Sequence, residues 1–224
     1  MGRLRMGGAT AGTAVGGERG RGGADRTRVG VLGGTFDPVH WGHLLLAEQA
    51  RDQLCLDRLL FVPAGLPWRK LDRPISPVWQ RVEMVRLALE GSPFELSLLE
   101  AERPGPSYTA DTLEQLRALM PAADLYFVMG HDALLDLPEW HRAEDIVELA
   151  WLAVARRPDR SGEEALAQVA RRLPRVRERV VWLEMPLLGI SGSDIRRRVR
   201  EGRSIRYLVP AAVEDYIHRH GLYR

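Results

Sequence analysis

Short, nearly continuous apolar runs recur along this chain with helix-length patterns between them, and this alternation restricts the fold more than any other feature. The strand candidates are Arg28–Leu32, Arg58–Val62, Phe94–Leu98, Leu125–Met129, Trp151–Ala155 and Val180–Leu183. Such runs suit strands covered on both faces, as in a parallel sheet. Helix candidates at Gly42–Leu54, Val78–Leu89, Thr109–Leu119 and Glu163–Arg172 fall between them. The first places Leu44, Leu45, Ala47 and Leu54 near one face. Two more, Ser193–Glu201 and Ala211–His220, close the chain, the second starting after Pro210 and stopping at Gly221. The expected architecture is a doubly wound α/β fold with a mostly parallel sheet and a C-terminal helical segment. Its ligand site belongs at the carboxyl ends of the strands, where the chain order reverses.

Charge narrows the partners. Residues 1–28 hold six arginines against Glu18 and Asp25, a net +4 in a chain of +2, so the remainder carries −2. The folded part is therefore no polycation, and nucleic acid is not an expected partner. Residues 1–27 are rich in Gly and Arg and lack a continuous apolar stretch. They read as a disordered extension and not as a signal peptide, which leaves 28–224 as one domain. No apolar run approaches the length of a membrane span, and nothing points away from the cytoplasm. The single cysteine, Cys55, excludes an internal disulfide and lies in an apolar helical pattern, where it reads as a small core residue.

The chemistry concentrates in Gly33–Leu44, GGTFDPVHWGHL. The first strand ends in Gly33-Gly34-Thr35, and the helix starts near Trp41. Glycines there let a ligand approach the backbone, and amides at a helix N-terminus favour an anion. His40 and His43, three residues apart, project from adjoining parts of the first turn. A polyphosphate suits them, because imidazole stabilises charged oxygens without being a fixed cation. A metal site would need a third ligand; His131, Asp132 and His141 are available, but without a recognisable ligand spacing. Asp37, beside Pro38, reads as a turn residue.

At these residues the chain resembles the T/HxGH nucleotidyltransferase superfamily. The form GGTFDPxHxGH is similar to the bacterial nicotinate-nucleotide adenylyltransferases. The likeness continues in order through Pro104–Leu113 (PGPSYTADTL), Phe127–Leu134 (FVMGHDAL), Leu137–Arg142 (LPEWHR), Ala155–Pro158 (ARRP) and the C-terminal SIRYLVPAAVEDYIHRHGLY. Two segments depart from the family pattern. The usual ISSTxIR reads ISGSDIR at Ile190–Arg196, where Ser193 keeps a hydroxyl and Arg196 the charge. The usual PPHK reads PWRK at Pro67–Lys70, so only Lys70 is carried over, with Arg69 as a substitute.

The resemblance implies a Rossmann-like nucleotidyltransferase fold and an in-line attack by a mononucleotide phosphate on the α-phosphorus of ATP. His40, His43 and Arg196 are then the catalytic candidates. Gly33, Gly34, Thr35, Phe36, Gly130, Asp132 and Ser193 are implied to bind the nucleotide, with Asp132 on a ribose hydroxyl. Lys70, Ser107, Tyr108, Thr109 and Trp140 are implied to bind the acceptor, nicotinate mononucleotide. Mg²⁺ is expected to arrive with ATP, without a dedicated protein site, and a homo-oligomer is compatible with the sequence. Taken alone, Ser107–Thr109 is cap-like for the helix at Thr109. Trp140 could equally anchor in the core, and Arg197, Arg198 and Arg200 belong to a solvated helix face. The rival readings are another acceptor (nicotinamide mononucleotide or phosphopantetheine), a tRNA-synthetase fragment and a non-catalytic nucleotide sensor. SYTADTL and Trp140-His141 favour a pyridine ring over a pantetheine arm. The synthetase reading lacks both an anticodon-binding domain and a KMSKS-like lysine run.

Overall fold

A computed structural model describes residues 26–68, 74–157, 161–186 and 188–224. Its strands are β1 (Arg28–Gly34), β2 (Arg58–Pro63), β3 (Glu95–Leu96), β4 (Asp124–Gly130), β5 (Trp151–Ala155) and β6 (Val180–Leu183). The helices are α1 (Trp41–Gln53), α2 (Val78–Leu89), α3 (Thr109–Leu119), α4 (His131–Asp136), α5 (Ala143–Leu149), α6 (Gly162–Ala170), α7 (Gly192–Arg200) and α8 (Ala211–Arg219). The strands form one sheet in the order β3-β2-β1-β4-β5-β6, and every neighbouring pair is parallel.

Strand periodicity divides the core into two layers. Val29 and Val31 of β1, with Leu60 and Val62 of β2, face Leu113 and Leu116 of α3, Ile146 of α5 and Val169 of α6. Leu32, Leu59 and Phe61 turn the other way, toward α1, α2, α7 and α8 through Ala47, Met84, Ile195 and Ile217. Both faces of the sheet are thus covered, which accounts for strands that are apolar on both sides. The sheet is doubly wound, and the chain order reverses between β1 and β4. The crevice at the carboxyl ends of those strands is where such sheets take ligands.

Several expectations need correction. The third strand shrinks to two residues because it sits at the sheet edge and pairs only through Leu60–Glu95 and Phe61–Leu96. Its polar Glu95 instead makes a two-pronged ion pair with Arg58 at 2.8 and 2.6 Å. The apolar face of α1 runs through Leu44, Leu46, Ala47 and Ala50, with Leu45 off it; Leu54, at the C-cap, packs half-buried against the same core. Cys55 is exposed, not a core residue: it lies past the end of α1, with φ near 49° turning the chain toward β2. The short helices α4 and α5 escaped periodicity because each spans under two full turns, with Pro138 in the 3₁₀ turn between them. No helix among the described residues is long and apolar enough to cross a membrane.

Candidate active site

The end of β1 runs into a tight loop, Thr35–Val39, before α1 begins. A Cβ on Gly34 would lie 3.0–3.3 Å from the Phe36 ring, so glycine at 34 lets that ring fold closely over the strand end. Phe36 itself has φ near 49°, an uncommon conformation for an aromatic residue. It is buried, with its ring centroid 4.9 Å from His43 and 5.6 Å from Phe61. Its side chain therefore supports the loop, and only its backbone remains for a ligand.

His40 caps α1 and His43 sits on its first turn. The rings stack at 3.7 Å between centroids. The backbone N–H of His40 donates to His43 Nδ1 at 3.2 Å, which turns that ring by a bond from its own helix start. A neutral imidazole accepting at Nδ1 carries its proton on Nε2, so His43 is set up as a donor there. His40 is 7% exposed, and its Nδ1 is buried without a hydrogen-bond partner among the described residues. Burial pulls its pKa down to about 4, so the ring is neutral at physiological pH.

This has a measurable consequence. Unfolded His40 takes up a proton below about 6.5, and folded His40 only below about 4. The associated stability is complete above pH 6.5 and is lost as pH falls to about 4, by roughly 3 kcal/mol in all. The thermal midpoint of the wild type should therefore fall more steeply over this window than that of His40→Gln. Parallel curves would contradict the assignment.

The amides of α1 are less available than the sequence suggested. The Trp41 N–H is spent on Leu208 O at 3.1 Å, and that of His40 on His43. A second helix start compensates. Gly192 and Ser193 open α7, whose cap Ser191 accepts from Asp194 N at 3.2 Å and shares a hydrogen bond with Ser193 Oγ at 3.1 Å, and both line the same cleft. Two helix N-termini thus meet a cavity of about 290 Å³, into which Gly34, Thr35, His40, His43 and Arg196 also face. First-turn amides and helix dipoles make this an anion site. Arg196 Nη1 donates to the Asp37 carbonyl at 2.6 Å, which pins one corner of its guanidinium at the cleft wall. Arg197 and Arg198 pair with Asp194 along the helix, as a solvated face requires.

Two residues that sequence reasoning missed hold this wall together. Asp37, a turn residue by sequence, is buried and accepts from Tyr223 OH at 2.6 Å and Ser76 N at 3.3 Å. Arg81 of α2 is 1% exposed and donates to three carbonyls, Thr35 at 2.8 Å, Gly65 at 2.9 Å and Ser76 at 2.9 Å. Burial lowers its pKa, and the Asp37 charge opposes that shift. The only sequence signal for Arg81 was its place on the apolar face of α2, in register with Val78 and Val85. Asp37 gave none.

The segment expected to bind the acceptor, Ser107–Thr109, precedes and opens α3. The cap-like reading of Ser107–Thr109 fails, because the residue at the cap is Tyr108 and no side chain caps α3. Ser107 Oγ instead accepts from Gly65 N at 2.9 Å, in a spot where a Cβ on Gly65 would lie 2.3 Å from the Glu100 carbonyl. Tyr108 packs between His141, 4.1 Å away, and Trp68, 5.8 Å away. Trp140 does not join that group. It meets Phe127 edge-on at 5.9 Å, with Nε1 buried and unpartnered among the described residues, and it lines a separate hollow of about 400 Å³ with Arg142 and Arg172. Gly33 lies beneath the Phe127 ring, 3.6 Å from where its Cβ would be. Gly130 leaves open space at the end of β4, and the half-exposed Asp132 pairs with Arg157 at 3.4 Å. Lys70 and Arg69 lie outside the described residues. No group of three His, Cys, Asp or Glu side chains among the described residues is placed to hold a metal ion.

Comparison with known proteins bears on this geometry. The cytidylyltransferase-like family matches residues 31–198. A probable nicotinate-nucleotide adenylyltransferase of Thermomicrobium roseum is 52% identical over 199 residues, covering 88% of this chain and 92% of that protein. A protein of the same description from Thermus thermophilus is 50% identical, covering 88% of this chain and all of its own 100%. Among solved structures, the nicotinic acid mononucleotide adenylyltransferase of Plasmodium falciparum, complexed with NaAD, superposes with a TM-score of 0.74 at 20% identity. That match covers 88% of this chain and 97% of the other, and it establishes the shared fold. The chain belongs to the nicotinate-nucleotide adenylyltransferase family.

Proposed function

We propose that this protein transfers the adenylyl group of ATP to nicotinate mononucleotide, giving deamido-NAD and pyrophosphate. The observation that carries the reading is the convergence of two stacked imidazoles, one guanidinium and two helix starts on one cleft at the switch point of the sheet. An oxygen of the acceptor phosphate attacks the α-phosphorus, and the bond to the β-phosphate bridging oxygen breaks. The attacking group is already an anion, so no general base or covalent nucleophile is needed. Catalysis rests on positioning and on charge stabilisation. His43 donates from Nε2, Arg196 donates its remaining N–H groups, and neutral His40 adds a donor without a fixed charge.

The cavity has the size of a phosphate-bearing group, so the polyphosphate fills it against Gly34, Thr35, the Phe36 backbone and Ser193. The nucleoside extends across Gly33 toward β4, where Gly130 leaves room and Asp132 meets a ribose hydroxyl. Mg²⁺ comes with the polyphosphate and neutralises part of its charge. Asp37, the one carboxylate lining the cleft among the described residues, is engaged by Tyr223 and Ser76. Residues 28–224 act as a single catalytic domain.

The acceptor ring lies beside Ser107, Tyr108 and Thr109, with His141 against the Tyr108 ring. Because no side chain caps α3, its first-turn amides suit a ring carboxylate. A carboxamide presents an NH₂ that those amides cannot satisfy, and such a mismatch costs ~1–3 kcal/mol. Nicotinate mononucleotide should therefore exceed nicotinamide mononucleotide at least tenfold in kcat/KM. Pyrophosphate release from ATP with each mononucleotide and with phosphopantetheine, followed by product identification, tests both levels. Equal constants for the two pyridine nucleotides would sink the amide argument, and release only with phosphopantetheine would sink the assignment.

A further inference from the structure

The C-terminus reaches into this site. After α8 the chain turns at Gly221, with φ near 60°, and Leu222 N–H bonds to Ile217 O at 3.0 Å. Tyr223 follows with φ near 65°, a conformation that non-glycine residues adopt at a cost. Its hydroxyl is what this turn delivers: it donates to Asp37 Oδ1 at 2.6 Å across 186 residues of sequence, beside Met84 Sδ at 3.9 Å. Burial and the Asp37 charge both raise the tyrosine pKa, so the hydroxyl remains a donor at every working pH.

Asp37 then passes the constraint on. Its carboxylate is fixed from two sides, by Tyr223 and by the Ser76 N–H, which leaves its peptide little freedom. The carbonyl of the same residue accepts from Arg196 Nη1 at 2.6 Å. The approach is close enough that a Cβ on Gly192 would lie 3.1 Å from that carbonyl oxygen and 3.3 Å from Arg196 Nη1. The order of contacts is hydroxyl, carboxylate, carbonyl, guanidinium. We infer that Tyr223 is a positioning residue of adenylyl transfer, which through Asp37 fixes the carbonyl that aims Arg196 into the cleft. Tyr223 is assigned no contact with substrate. The inference rests on the adenylyltransferase reading and adds a residue that motif comparison around the glycine loop does not reach.

Tyr223→Phe in the full chain tests it, because it removes one oxygen and keeps the ring packing. With ATP and nicotinate mononucleotide, kcat should fall about tenfold while the KM for ATP changes less than twofold, the signature of a contact that matters in the transition state. The same substitution placed in Arg196→Ala should cost nothing further, since the group it positions is gone. A purely structural role would lower activity equally in both backgrounds, and that outcome overturns the inference. So does a Tyr223→Phe enzyme with wild-type kcat. If Tyr223→Phe does not fold, Asp37→Ala cuts the same link from the other end, and its loss must likewise vanish in Arg196→Ala. A wild-type chain inactive toward every acceptor would instead refute the functional reading itself.

Discussion

His43→Ala should lower kcat by ~10²–10³ while ATP binding changes only a few-fold, the usual cost of removing one preorganised donor to developing charge. The geometry says why the loss should fall on kcat. His43 is held before any ligand arrives, by the His40 N–H on its Nδ1, by the His40 ring stacked at 3.7 Å and by Phe36 edge-on at 4.9 Å. Its proton is thereby assigned to Nε2, and no reorganisation is needed as negative charge grows on the phosphate oxygens. In the proposed reading, ground-state affinity for ATP is spread over the loop backbone, the α7 start and Arg196, so one imidazole should contribute little to it. His43→Gln, which keeps a donor but loses the stacking, should fall between the two. Steady-state kinetics with ATP varied at saturating acceptor measures both quantities. A folded His43→Ala enzyme within a few-fold of wild-type kcat would remove His43 from the catalytic set.

The sheet and its larger helices were legible because burial on both faces leaves an apolar signature that depends only on local sequence. β5, β6, α2 and α3 fall at the expected residues. Where the signature fails, a competing cause is visible. The edge position of β3 lets Glu95 trade ladder bonds for an ion pair with Arg58, and α4 and α5 are too short to show a period. The loop that lines the cleft was also legible, since Gly34 to His43 are contiguous and the motif encloses them. What holds them was not. Asp37 meets Tyr223 across 186 residues, and Ser107 meets Gly65 across 42. No local pattern encodes such contacts. Ser107–Thr109 shows the converse hazard: a run with cap-like composition that caps nothing, because its serine hydroxyl bonds to another loop.

Arg81→Met should destabilise the protein by ~3–5 kcal/mol, the range for removing one member of a buried charged network. Methionine fills much of the space, so packing alone predicts a small effect; hydrogen bonding predicts a large one. The guanidinium places its three nitrogens on the carbonyls of Thr35, Gly65 and Ser76, three segments joined by no strand ladder at these points. Each carbonyl left without a donor costs ~1–3 kcal/mol where water cannot reach it. Asp37 also loses the cation that offsets its buried charge. For a chain of this size the sum corresponds to a fall of roughly 10 °C in Tm. Arg81→Lys should recover only part of it, because an ammonium cannot span three acceptors set for a planar fork. Activity measured well below the new Tm should drop as well, since Thr35 and Asp37 belong to the loop that the fork holds. A Tm within 2 °C of the wild type for Arg81→Met would show that water or rearranged loops satisfy the carbonyls, and that the fork is not what fixes the cleft wall.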